Sequence, residues 1–176
     1  MSSIADLNLP TDNFTEGIFI DYKHFIAQNI TPRFEFGFGL TYTTFNYTNL
    51  EIRRTNVSTA LVAPNPQSAN ATMPQGGLTS LWDVIAKVSV TVTNTGPVAA
   101  AEVAQLYIGV PGGPAKQLRG FDKQCLKPMQ SKAFSFELTR RDLSAWSGGW
   151  MLQRGTYNVY VGKSVLDIQL TGTITI

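Results

Sequence analysis

The 176-residue chain predicts an all-β fold, an antiparallel sandwich of about seven strands with an extended N-terminal tail. Three observations carry that expectation. Several segments alternate apolar and polar residues with period 2, the signature of a half-buried strand. Clusters of Gly, Pro, Asn and Ser separate them. Almost no stretch repeats with helical period.

Taken in order, residues 1–38 hold short strand-like pieces at Gly17–Tyr22 and Phe34–Phe38 between polar turns. Ile18 and Ile20 alternate with Phe19 and Asp21, so both faces are largely apolar and need partners on both sides. The tail is too short to supply them and is expected to dock on something else. Residues 41–53 read as a strand in which Phe45 and Tyr47 alternate, and the pattern shifts by one before Leu50 and Ile52, which predicts a bulge. Residues 54–80 are rich in Ala, Asn, Pro, Ser, Thr and Gly and read as one long surface loop.

From residue 81 the alternation is clean. Val84, Ala86, Val88, Val90 and Val92 share one face, and Asn94-Thr95-Gly96-Pro97 turns the chain. Ala104, Leu106, Ile108 and Val110 define the next strand over 102–110, a short piece follows at 117–123, and Phe134, Phe136 and Leu138 mark another over 132–139. Thr139-Arg140-Arg141-Asp142 fits a capping box for one helical turn. A last hairpin places Tyr157, Val159 and Val161 on one strand, and Leu166, Ile168, Leu170, Ile174 and Ile176 on its partner. This count and spacing indicate a Greek-key sandwich of the immunoglobulin or fibronectin type.

Composition excludes several functions. The net charge is +2, and Arg53-Arg54 and Arg140-Arg141 are only pairs, so the basic stripe that releases counterions from nucleic acid is missing. No apolar run is long enough to span a membrane. The single cysteine, Cys125, permits no internal disulfide and is expected to be buried and inert. Charged residues make up 15%, with hydroxyls and amides in their place, which suits a surface covered by sugar.

Five Asn-x-Ser/Thr sequons support that reading, at Asn13, Asn29, Asn46, Asn56 and Asn70, where the chain's composition alone would give about two. They predict a secreted glycoprotein. Yet Met1–Leu7 has neither a positive start nor an apolar stretch, so it is no signal peptide. A secreted-looking chain without a leader is expected to be part of a longer one, with the missing portion upstream.

Several motifs in order give the chain a family resemblance. Glu16-Gly17-Ile18-Phe19-Ile20-Asp21-Tyr22-Lys23-His24-Phe25 resembles the segment closing the second catalytic-unit domain of fungal glycoside hydrolase family 3 β-glucosidases. Arg33–Phe45 is similar to that family's PFGxGLSYTxF entry into its C-terminal fibronectin type III-like domain. Val92–Gly96, Val103–Ile108, Lys116–Phe121 and Gly155–Gly162 follow in family order. Glu35 stands where many members have proline, Phe38 where many have histidine or tyrosine, and Ser147–Trp150 is shorter than usual. The resemblance implies a fibronectin type III-like domain over 39–176, preceded by a remnant of the neighbouring domain over 1–38. It further implies a parent enzyme that removes terminal β-D-glucose from β-glucosides in cellulose degradation. The upstream catalytic domains would be this module's partners.

No catalytic residue carries over. The family's nucleophile lies in a Ser-Asp-Trp setting, whereas here Trp82-Asp83 has the reverse order, and the family's acid/base motif does not occur. Retaining hydrolysis needs two carboxylates about 5–5.5 Å apart around a sugar pocket. The carboxylates of this chain are scattered over separate elements, and the chain alone is expected to be inactive. One histidine, His24, with one cysteine makes no metal or cofactor site. Contact with neighbouring domains falls to Ile18, Phe19, Ile20, Phe34 and Phe36, with Arg119 and Phe121 either joining them or shaping a sandwich edge. An alternative function is an independent module adsorbing polysaccharide or lignin through Trp82, Trp146 and Trp150.

Overall fold

The computed structural model describes residues 13–64 and 75–176. Seven strands form the two layers of a sandwich. β1 (Phe45–Arg54), β2 (Val84–Asn94) and β5 (Ser131–Thr139) make one sheet in the order β1-β2-β5. β3 (Ala100–Gly109), β4 (Gln117–Leu126), β8 (Thr156–Gly162) and β9 (Ile168–Thr175) make the other in the order β4-β3-β8-β9. Every pairing is antiparallel. A small hairpin of β6 (Ser144–Trp146) and β7 (Trp150–Leu152) lies apart from both sheets.

The core sits where the alternation placed it. Val88, Val90 and Val92 of β2 and Phe134, Phe136 and Leu138 of β5 face Leu106, Ile108, Val159 and Val161 of the opposite sheet, all buried. Each such side chain contributes about 1.5–3 kcal/mol on burial. The bulge in β1 lies between Thr48 and Glu51, with Asn49 at φ 55°. Thr139 and Asp142 form the reciprocal capping box on the single turn α2 (Arg140–Leu143): Thr139 N donates to Asp142 Oδ2 at 2.8 Å, and Asp142 N donates to Thr139 Oγ1 at 3.3 Å.

Two polar fixtures lock the loops. Asn94 is fully buried and uses its whole amide. Oδ1 accepts from Thr43 Oγ1 at 2.7 Å and from Gly96 N at 3.1 Å, while Nδ2 donates to Val98 O at 2.8 Å and Leu126 O at 3.1 Å. Tyr157, at the start of β8, donates to Gln153 O at 2.8 Å and accepts from Gln153 N at 2.7 Å. That is the tyrosine corner of immunoglobulin-like folds, in which the ring plugs the core while its hydroxyl ties back to the backbone just upstream.

Several expectations change. The tail contains no strand among its described residues. The piece read at Gly17–Tyr22 is a turn leading into the helix α1 (Tyr22–Ala27), and Phe34–Phe38 is a turn as well. Mostly apolar pieces of this kind fit a short segment packed on a neighbour as well as they fit a strand, and periodicity cannot separate the two over five or six residues. The piece read at 117–123 is a ten-residue strand, β4, whose half-exposed pattern blurs the alternation. Leu166 lies in the turn before β9 and is exposed. Cys125 is exposed as well, because its position on β4 points away from the core.

The stretch read as a loop over 54–80 has anchored ends. Thr55 N donates to Ile85 O at 2.9 Å, Val62 bridges to Met151, and Thr79–Trp82 forms a 3-10 turn with Ser80 and Leu81 buried. Arg140, wholly buried on α2, donates to Ala60 O at 2.6 Å and to Ser58 O.

Candidate functional site

β3 is buried at every position from Ala104 to Gly109, on both faces. The inner face meets the other sheet. The outer face is covered by the N-terminal tail, which is tied to it by directional bonds. Tyr22 stacks on Phe36 with ring centroids 4.3 Å apart and meets Tyr107 of β3 edge-on at 6.3 Å. The Tyr22 hydroxyl accepts from Leu118 N at 2.9 Å. Gln105 Nε2 donates to Gly37 O at 2.9 Å and also to Lys163 O, and Tyr107 donates to Gln105 Oε1 at 2.6 Å. Val165 N donates to Phe36 O at 3.1 Å, and Ser164 Oγ donates to Glu35 Oε1 at 2.7 Å. Gly37, at φ 81°, leaves no room for a Cβ beside the Gln105 amide. Glu35, where proline is common in the family it resembles, thus holds the loop between β8 and β9.

Fixed this way, the tail turns one set of apolar side chains inward and leaves another outside. Ile18, Ile20, Phe34, Phe36 and Phe38 are exposed, and Phe19 is half-buried. Leu40 and Tyr42 are 90% and 96% exposed, values that belong to side chains with no cover at all. Phe34 and Phe38 touch at 5.2 Å. Phe38, Leu40 and Phe121 rim a cavity of about 400 Å³ floored by Phe36 and Leu118, and Phe25, Ile30, Phe34 and Leu166 surround a second of about 190 Å³. Phe121 of β4 is itself 67% exposed and joins the belt. Arg119 does not. It is the extra residue of a bulge in β4, between Gly120 opposite Leu106 and Leu118 opposite Tyr107. There its Nε donates inward to Asp142 O at 2.7 Å and its Nη2 to Gln117 Oε1 at 3.1 Å.

Leu40, Tyr42, Phe38 and Ile30 were missed from sequence as belt members. The signal was present: Leu40 and Tyr42 alternate just before β1 with no strand to pair them. Glu102 lines the first cavity and accepts from Tyr47 at 2.7 Å. Burial raises its carboxyl above the ordinary range, against the opposing pull of the Tyr47 hydrogen bond and Lys163.

Elsewhere, Trp146 and Trp150 meet edge-on at 5.5 Å across the β6–β7 hairpin, and the Arg141 guanidinium lies 3.9 Å from the Trp150 ring centre. They border a cavity of about 620 Å³ with Val62, Leu81 and glycines 76, 77, 148 and 149. Trp82 is exposed and lies outside that lining. Asn13, Asn29, Asn46 and Asn56 are all exposed, and Asn70 falls outside the described residues. His24 is exposed, edge-on to Phe25 at 6.2 Å. Among the described residues, no three of His, Cys, Asp or Glu are grouped to hold a metal ion.

The model of the fibronectin type III-like domain matches residues 102–165. The chain is 46% identical to β-glucosidase D2-BGL of Chaetomella raphigera, superposing with a TM-score of 0.84 over 93% of this chain and 23% of that one. It is 29% identical to a glycoside hydrolase family 3 β-glucosidase of Neurospora crassa, at a TM-score of 0.81 over 94% of this chain and 28% of the other. The chain is a fibronectin type III-like module of the kind found in glycoside hydrolase family 3 β-glucosidases. Among curated relatives, it is 50% identical over 170 residues to Probable beta-glucosidase M of Aspergillus niger, covering 95% of this chain and 22% of that protein. The module therefore spans about a fifth of the length of the relatives it matches, and its tail belongs to the matched region.

Proposed function

We propose that this chain is the non-catalytic bracing module of a secreted β-glucosidase whose catalytic domains hydrolyse terminal β-D-glucosyl residues. The exposed belt of Ile18, Ile20, Phe34, Phe38, Leu40, Tyr42 and Phe121 is the face that packs against those domains. One observation carries the reading: the belt is exposed, yet the tail that bears most of it is held to the sandwich by hydrogen bonds from Gln105, Val165, Ser164 and Leu118. A rigid, unpaired apolar surface of this kind marks an interface. The module's action is mechanical: it removes the apolar face of a neighbour from water and restrains relative motion of the domains. The span of the relatives supports the existence of such neighbours.

The test is dye binding by the isolated chain. The wild-type chain is expected to bind 8-anilinonaphthalene-1-sulfonate at the belt, and Leu40→Asp with Phe34→Asp is expected to abolish the signal while leaving thermal unfolding unchanged. A chain that binds no dye and stays monomeric at high concentration would sink the proposal.

A second reading rests on the Trp146–Trp150 pair, whose cavity lining holds no charged side chain and so suits a neutral sugar or aromatic polymer. Loss of adsorption to cellulose or lignin in Trp146→Ala, Trp150→Ala would support it, and unchanged adsorption would reject it.

A further inference from the structure

The outer face of the β1-β2-β5 sheet lies across the sandwich from the sheet that carries the tail and has a composition of its own. Antiparallel register lines it up in rows. Asn46 stands opposite Thr93, and Thr93 opposite Ser131; Thr48 stands opposite Thr91, and Thr91 opposite Ala133; Glu51, Ser89 and Ser135 follow. The last row, Arg53, Lys87 and Glu137, closes the face with charge, Lys87 and Glu137 pairing at 2.7 Å. Glu51 in the row above belongs to that charged end, pairing with Arg53 at 2.9 Å, and beyond it the side chains are short and mostly hydroxylic. Thr93 and Ser131 share a hydrogen bond of 2.7 Å between their hydroxyls. The result is a flat floor of hydroxyls with no large apolar group on it.

Asn46 and Thr48 are the first and third residues of a sequon, and in a strand residues two apart point to the same side. Both therefore project onto this floor from β1, the end strand of its sheet. Asn46 is exposed, while Phe45 and Tyr47 between and beside them are buried in the core. We propose that Asn46 is an N-glycosylation site and that the first sugars of its glycan lie across the hydroxyls of Thr48, Thr91, Thr93 and Ser131. In the transfer, Asn46 Nδ2 forms a bond to the anomeric carbon of a lipid diphosphate-linked oligosaccharide. The carbon–oxygen bond to the diphosphate breaks, its electron pair leaves on the diphosphate, and one amide proton passes to a base of the transferase. The N-acetylglucosamine so attached presents hydroxyl, amide and ring oxygen groups to a surface of matching donors and acceptors. It also covers the end strand, whose free edge would otherwise invite pairing with another chain. This inference is independent of the bracing face, which occupies the opposite sheet.

The experiment uses the natural gene product recovered from its producing cells. It is treated with peptide N-glycosidase F in H₂¹⁸O and its peptides are weighed. Labelled aspartate is expected at position 46, and an unlabelled Asn46 overturns the proposal. Glycan release from the native protein is expected to be several-fold slower at Asn46 than after denaturation, and equal rates overturn the placement on the floor. Expressed in the same cells, Thr48→Ser is expected to keep the label and Thr48→Val to lose it; a label retained in Thr48→Val would also count against the assignment.

Discussion

Thr43 donates its hydroxyl to Oδ1 of the buried Asn94 at 2.7 Å, and this bond joins the segment entering β1 to the turn between β2 and β3. Asn94 has four partners, so Asn94→Ala strands groups on both sides of it. Each buried polar group left unpaired costs about 1–3 kcal/mol. Asn94→Ala is therefore expected to lower the urea-unfolding free energy by roughly 3 kcal/mol. Thr43→Ala, which removes one of the four bonds, is expected to cost about 1 kcal/mol. Equal losses for the two variants would show that the other three bonds contribute nothing.

Tyr22 clamps the tail in two ways, by stacking on Phe36 and by accepting from Leu118 N at 2.9 Å. Tyr22→Phe keeps the stack and removes the acceptor. Amide exchange at Leu118 is expected to accelerate while Leu106, in the core of β3, stays protected. Tyr22→Ala is expected to free the tail as a whole and expose Tyr107. No change at Leu118 in Tyr22→Phe would mean that another group satisfies this amide.

These clamps explain which parts of the molecule could be read in advance. β2, β5 and β8 each have one wet face and one dry face, so their alternation survives in the sequence. The Thr139–Asp142 box and the β1 bulge are local and were legible for the same reason. β3 is dry on both faces because the tail covers it, and nothing in residues 102–110 names that cover. The tail's helix, Tyr22–Ala27, is only six residues long, too short to display a helical period. Of the belt, the residues in the most apolar pieces were visible, while Leu40 and Tyr42 were absorbed into the approach to β1. Arg119 could not be assigned, because its partner is the backbone carbonyl of Asp142, and a carbonyl leaves no mark on sequence.

Glu102 makes stability depend on pH. Burial is the largest influence on its carboxyl and raises its pKa, with Tyr47 and Lys163 opposing. A group whose pKa is raised in the folded state binds its proton more tightly there. Its favourable contribution is complete below the unfolded value of roughly 4.3 and is lost as pH rises through the folded value. Glu102→Gln keeps an acceptor for Tyr47 and does not titrate. From pH 4 to pH 7 the wild-type melting temperature is expected to fall relative to that of Glu102→Gln. Parallel curves would place Glu102 in ordinary contact with water.

Arg140 straps the segment after β1 to the sandwich. Among the described residues its guanidinium is buried without a carboxylate partner: it donates to the carbonyls of Ser58 and Ala60, and its Nε meets no acceptor there. Arg140→Met removes both bonds but also relieves the cost of burying a charge, a cost that can exceed what such a group returns. Ser58 and Ala60 are exposed residues, so water can replace the guanidinium at their carbonyls. The expected loss of global stability is therefore small, within about 1–2 kcal/mol. The local effect is expected to be large. Leu152 N donates to Leu61 O at 2.9 Å, so its exchange reports whether the strap is in place. Arg140→Met is expected to accelerate exchange at Leu152 far more than at Val88 in the centre of β2. Equal acceleration at both sites would instead make Arg140 a support of the whole core, and the segment it holds no separate unit.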